Sequence, residues 1–210
     1  MASSLFVFGA SGHAKVVIDI LERMKGVKVA FVVDDAARAR STKLCGYAVI
    51  GGRDALLANR RKVKAGIVAI GDNSARARVA AWLADEGFRS ATAVHPAAVI
   101  ARGVQIGDGA TVMAGAVINT DARIGALAII NTGATVDHDC SIGDCVHIAP
   151  GCHLCGGVSV GTGALLGAGT TVIPGVRVGA NTIIGAGSTV VQDVPDGARM
   201  AGSPCRPVTS

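Results

Sequence analysis

Aromatic side chains are nearly missing from this 210-residue sequence, which has one Trp, one Tyr and four Phe. Base stacking on aromatic platforms is how proteins grip single-stranded nucleic acid, so that function has little to stand on. There is also no run of five Lys or Arg. The net charge of +5 is scattered along the chain, which suits anionic small molecules better than a polyanion. Long apolar runs are lacking too. No segment approaches the roughly 20 apolar residues of a membrane span. The start, Met1-Ala2-Ser3-Ser4-Leu5, has no basic region, and Leu5 to Ala10 is too short for the apolar core of an export signal. The sequence therefore predicts a cytoplasmic protein with neither nucleic acid nor membrane as partner.

Six cysteines stand at 45, 140, 145, 152, 155 and 205. With no export signal they are expected to stay reduced. Cys152-x-x-Cys155 has half of a zinc spacing, but no second pair follows it, so no metal is expected.

What the chain has in quantity is glycine, 29 residues, and a repeat explains them. From Ile100 every sixth residue is aliphatic, through Ile106, Val112, Ile118, Ile124 and Ile130, without a miss as far as Val190. Four residues after each comes a small or β-branched residue, such as Ala110, Ala116, Cys140, Cys152, Thr170 or Ser188. A helix of 3.6 residues per turn cannot hold a six-residue stripe on one face. Short strands with a corner every six residues can. The chain is thus expected to coil as a solenoid, with Gly or Asn supplying the positive φ at its corners. Cys140 and Cys152 fall in the inward small slots and read as inert core.

The front of the chain has another pattern. Leu5–Ala10 reads as a buried parallel strand, followed by the turn Ser11-Gly12-His13 and an amphipathic stretch through Met24. Val29 to Asp35 reads as a second strand ending in the carboxylates Asp34 and Asp35. Ala65 to Ile70 reads as a third, ending in Gly71-Asp72-Asn73 before a helix from Ser74 to Glu86. This is a small Rossmann-like α/β unit. Gly9 and Gly12 lack the third glycine of a dinucleotide fingerprint, which argues against a nicotinamide dehydrogenase. A helix N-terminus can still hold a phosphate, and carboxylates at that strand end commonly accept ribose or base hydrogen bonds. The expected division is residues 1–94 for nucleotide binding and 95–210 for the solenoid. Gly9, Ser11, Gly12, His13, Asp34, Asp35 and Gly71 are the candidate nucleotide-binding residues.

The six-residue register resembles the hexapeptide-repeat acyltransferases, whose left-handed parallel β-helix uses three hexads per coil. They are commonly homotrimers with active sites between neighbouring helices. Gly-Ala-Ser-Gly-His after the first strand, Asp34-Asp35 after the second, His95-Pro96 at the junction and the repeats together resemble one group. It is the bacterial N-acetyltransferases acting on nucleotide-linked 4-amino sugars, with the related sialic acid O-acetyltransferase-like proteins. That resemblance implies acetyl-CoA as co-substrate and transfer to the 4-amino group of a UDP- or GDP-linked amino sugar. Within Asn131 to Cys140 it makes His138 the general base, Asp139 the residue that orients it, and Asn131 an acceptor contact. His147 corresponds to a second family histidine, which contacts the sugar or coenzyme. Three hexads per coil place Gly156 one coil beyond His138, where its N–H can face the thioester oxygen. Ala201-Gly202-Ser203-Pro204-Cys205-Arg206 resembles the family's tail, which makes Arg206 a coenzyme contact. His153 matches no family position. A glycan O-acetyltransferase and a non-catalytic nucleotide-sugar scaffold are the alternatives.

Overall fold

The computed structural model describes residues 3–36 and 43–208. The chain forms two compact units, divided between Pro96 and Ala97.

The first unit runs β1 (Ser3–Phe8), α1 (Gly12–Arg23), β2 (Val27–Asp34), β3 (Lys43–Leu44), β4 (Tyr47–Gly51), α2 (Gly52–Ala58), β5 (Ala65–Val68), α3 (Asn73–Asp85) and β6 (Arg89–Ser90). Its sheet has the order β3-β4-β2-β1-β5-β6. All pairs are parallel except the β3–β4 edge. The central strand β1 is apolar because it is covered on both faces; Phe6 and Val7 are fully buried. Phe6 packs edge-on against Phe88 at 5.3 Å and lies over Gly66, where any side chain would collide with its ring. One face of α1, carrying Ala14, Val17, Ile18 and Leu21, is buried, the spacing expected of an amphipathic helix.

The hairpin β3–β4 and the helix α2 go beyond the strand–helix pattern expected from sequence. The two central turn residues, Cys45 at φ 48° and Gly46 at φ 84°, both take positive φ, as tight hairpins require. A Cys-Gly pair is not the usual Asn-Gly or Asp-Gly signal, so the turn was not conspicuous. The chain builds outward from β1 through β2 to β4, then crosses to β5 and β6 on the other side. The reversal falls between β1 and β5, and in such sheets ligands bind beyond the strand ends at that point.

The second unit is a parallel β-helix. From Val99–Ile100 to Thr189–Val190 its strands are two residues long and lie in three parallel sheets, each taking every third strand. Partners are 18 residues apart, as in Val117↔Thr135, Thr135↔His153 and His153↔Thr171. A coil is therefore three hexads. The inward column Ile118, Val136, Leu154, Val172 is at most 1% exposed, and each such side chain contributes about 1.5–3 kcal/mol by leaving water. Corners recur every sixth residue at positive φ, mostly as Gly but also as Asp121, Leu127, Asp139, Cys145 and Asn181. Cys140 and Cys152 are buried in the small slots as expected, and burial pushes both thiols above their ordinary range. Cys145 sits at a corner yet is also buried. After the last full coil, Arg199–Ala201 joins one wall and Arg206–Pro207 returns antiparallel beside it.

Candidate active site

In the first unit, a crevice of about 420 Å³ lies at the carboxyl ends of β1, β2 and β5. Gly9, Ser11, Asp34, Asp35, Arg53 and Arg78 are among the residues that line it. Gly9 is held at φ 118°, with the Ala69 carbonyl where a side chain would be, so the turn can follow β1 this closely only with glycine. The N-cap of α1, Ser11, makes no side-chain capping bond, whereas Asp72 caps α3 by accepting from the Ala75 N–H at 2.7 Å. The first-turn N–H groups of α1 thus have no side-chain acceptor from their N-cap, the arrangement that suits a phosphate.

The two expected carboxylates have different roles. Asp34 accepts from the Ala10 N–H at 2.7 Å and the Ala36 N–H at 2.8 Å, one with each oxygen, so it fixes the turn after β1. Asp35 faces Arg53 at 3.4 Å and also lines a second hollow, of about 550 Å³, beside Gly51–Ala55. Gly12, His13 and Gly71 do not line the crevice. Gly71 instead accepts, through its carbonyl, from the guanidinium of the buried Arg76, which also bonds the Ile70 carbonyl and the Asn73 side chain.

Two cations here were not foreseen. Arg53 lies over Trp82, 4.6 Å from the ring centre, and belongs to α2, the helix without a sequence signal. Arg78 had one: Ala75, Arg78 and Val79 share a face of α3 at the i, i+3, i+4 spacing.

In the second unit, His138 stands at the corner between the wall of Thr135–Val136 and the wall of Ser141–Ile142. Adjacent strand residues point to opposite faces, so His138 and Asp139 meet only because the chain turns there. Asp139 takes φ 58°, and its Oδ2 lies 2.8 Å from His138 Nδ1. Since a carboxylate only accepts, Nδ1 carries the hydrogen, and in the neutral ring Nε2 keeps its lone pair. That hydrogen bond, with the Asp137 charge adding to it, holds the imidazole above its ordinary range. One coil on, the ring lies against Gly156, where a methyl carbon would sit 2.6 Å from both Cε1 and Nε2. The backbone closes the same stack, with the Gly157 N–H donating to the His138 carbonyl at 2.9 Å.

His147 is elsewhere. It projects from the wall formed with Ile129 and Leu165, the wall opposite the His138 corner, and contacts Asn131 Nδ2 at 3.2 Å. Arg206 ends the same wall as His147, four strands further along, roughly 19 Å at the usual strand spacing. Its Nη1 donates to the Cys205 carbonyl. One chain therefore brings His138, Asp139 and Gly156 together, and His147 with Asn131, but not the two histidines to one point. No group of three or more potential metal ligands occurs among the described residues, and none of their helices is long and apolar enough to cross a membrane.

Residues 4–83 match the PglD N-terminal domain, and residues 139–174 and 157–192 match the bacterial transferase hexapeptide (six repeats) family. None of the curated proteins matches at a significant level. Among solved structures, a histidine-to-alanine mutant of GDP-perosamine N-acetyltransferase from Caulobacter crescentus, bound to CoA and GDP-perosamine, is 44% identical. The match covers 100% of this chain and 98% of that one, at a TM-score of 0.94. The acetyltransferase domain of PglB from Neisseria gonorrhoeae, with acetyl coenzyme A, is 34% identical over 99% of this chain and 100% of that one, at 0.91. WeeI from Acinetobacter baumannii is 27% identical over 98% and 100%, at 0.84.

Proposed function

Since the chain belongs to the nucleotide-sugar amino-acetyltransferases of the hexapeptide-repeat, left-handed β-helix type, we propose that it transfers acetyl from acetyl-CoA to the 4-amino group of a nucleotide-linked deoxy sugar. The observation that carries this is the His138–Asp139 pair, with Nε2 left as the base against Gly156 of the next coil. GDP is the preferred nucleotide in this reading, with UDP and TDP as the competitors, because the 44% identical enzyme was crystallised with GDP-perosamine.

The acceptor's nucleotide lies in the crevice of the first unit, with a phosphate against the N-terminus of α1 and the cations Arg53 and Arg78, and with Asp35 accepting from ribose or base. At the reacting end the amine attacks the thioester carbon. His138 Nε2 removes a proton from the attacking nitrogen, and the C–S bond breaks to release coenzyme A, with no acyl-enzyme formed. The Gly156 N–H is the candidate donor to the developing oxyanion.

His147 and Arg206 share the wall opposite His138, which supports a homotrimer in which the coenzyme lies between that wall of one copy and the His138 corner of its neighbour. Use of acetyl-CoA and six free thiols support a cytoplasmic setting.

The test is coenzyme A release across GDP-, UDP- and TDP-linked 4-amino and 4-hydroxy sugars. Turnover with a 4-amino sugar that falls at least about a hundredfold in His138→Ala, while acetyl-CoA still binds, is expected. Turnover confined to hydroxyl acceptors would favour the glycan O-acetyltransferase, and none at all the scaffold.

A further inference from the structure

Beside His138 lies a second carboxylate that the acetyl transfer does not use. Asp137 is half-buried and directly precedes the corner. Its Oδ1 accepts from the backbone N–H of His138 at 2.8 Å and from the side-chain amide of Asn119 at 2.9 Å. Asn119 is 18 residues earlier, one coil below, on the column set by the pairing of Val117–Ile118 with Thr135–Val136. Strands about 4.8 Å apart bring such side chains within one hydrogen bond of each other. The next residue of that column is Cys155, so the polar ladder has its top at Asp137 and turns there onto the histidine.

We propose that Asp137, braced by Asn119, is a positioning residue for the reaction: it clamps the peptide of His138 and, with its charge, biases the imidazole toward taking a proton. The inference rests on the assignment of His138 as base. A neutral Asn at 137 would make the same two hydrogen bonds, since its amide oxygen also accepts; what the carboxylate adds is charge beside the ring. It stays ionised, because the His138 N–H and then the Asn119 amide hold its carboxyl below the ordinary range. It also acts in the same direction on His138 as Asp139 does. Other titratable groups around this corner are the buried Cys140 thiol on the same coil, which donates to the Cys155 carbonyl at 3.2 Å, Asp121 on the coil below and Cys155 on the coil above.

The test uses the 210-residue protein with acetyl-CoA and GDP-perosamine and compares pH profiles of kcat for wild type, Asp137→Asn, Asp137→Ala, Asn119→Ala and the double alanine variant. Asp137→Asn keeps the clamp and loses the charge, so its acid limb moves to lower pH while the plateau stays within about threefold. Asp137→Ala loses both, so the limb moves equally and the plateau falls about tenfold, with both KM values unchanged. Combining Asn119→Ala with Asp137→Ala adds little to the second change alone. A limb and plateau matching wild type in both Asp137 variants, beside an inactive His138→Ala, would overturn this role and leave the base assignment standing. An active His138→Ala would remove the base assignment itself.

Discussion

Gly156→Ala puts the most direct load on the catalytic corner. The backbone of Gly156 is one that alanine adopts without strain, since it carries no positive φ, so the perturbation is confined to the methyl group. That carbon would lie 2.6 Å from His138 Nε2 and Cε1 and 3.2 Å from Cδ2. Comfortable carbon contacts are about 3.5–4.0 Å, so the ring must retreat by about 1 Å. The movement stretches the 2.8 Å bond from Nδ1 to Asp139 and sets a methyl beside the nitrogen that takes the proton. The imidazole is 62% exposed, so it can swing into solvent at little cost to the fold. Misplacing a reacting group by 1 Å can cost about a hundredfold in rate. A kcat lower by about 10- to 100-fold is expected, with a melting temperature near that of wild type. Thiol detection of released coenzyme A and a thermal melt read the two quantities. Wild-type turnover in Gly156→Ala would refute the idea that the ring works from the position described.

Asp139→Asn keeps an oxygen that can accept from Nδ1 but removes the negative charge of the carboxylate that holds the His138 imidazole above its ordinary range. The base acts when neutral, so activity rises with pH through that value. The acid limb of kcat should move to lower pH in the variant while its plateau falls, and an unmoved limb would mean that Asp139 does not set it. Replacing Asp35 by Ala should raise KM for the nucleotide sugar about tenfold, the low end of a charged hydrogen bond because the site is open, and leave KM for acetyl-CoA unchanged; loss of acetyl-CoA affinity alone would displace the acceptor from this crevice. If the coenzyme lies between copies, mixing inactive His138→Ala and His147→Ala proteins under conditions of subunit exchange should restore part of the activity, read as coenzyme A release. Light scattering should give a trimer, and an active monomer would contradict that arrangement.

The β-helix was legible in the sequence because its determinants are local and periodic. A large aliphatic, a small residue and a corner recur every six positions, and three such units fix which residues stack. The family resemblance, which gives three hexads to a coil, set Gly156 one coil beyond His138, and the structure has the ring against it. The strands and helices of the first unit were legible from apolar runs ended by glycine and carboxylate. The edge hairpin and α2 were not, because a Cys-Gly turn and a seven-residue helix carry too little pattern.

What only the tertiary structure decided are relations between side chains whose backbone conformation the pattern leaves open. Adjacent residues such as His138 and Asp139 pair only because Asp139 takes φ 58°. Neighbouring Asp34 and Asp35 look alike in sequence, yet one caps backbone N–H groups and the other meets Arg53. His138 and His147 are nine positions apart along the chain but belong to a corner and the wall opposite it. A repeat dictates where each hexad lies; the φ of single corner residues and the coil stacked above dictate what each side chain can reach.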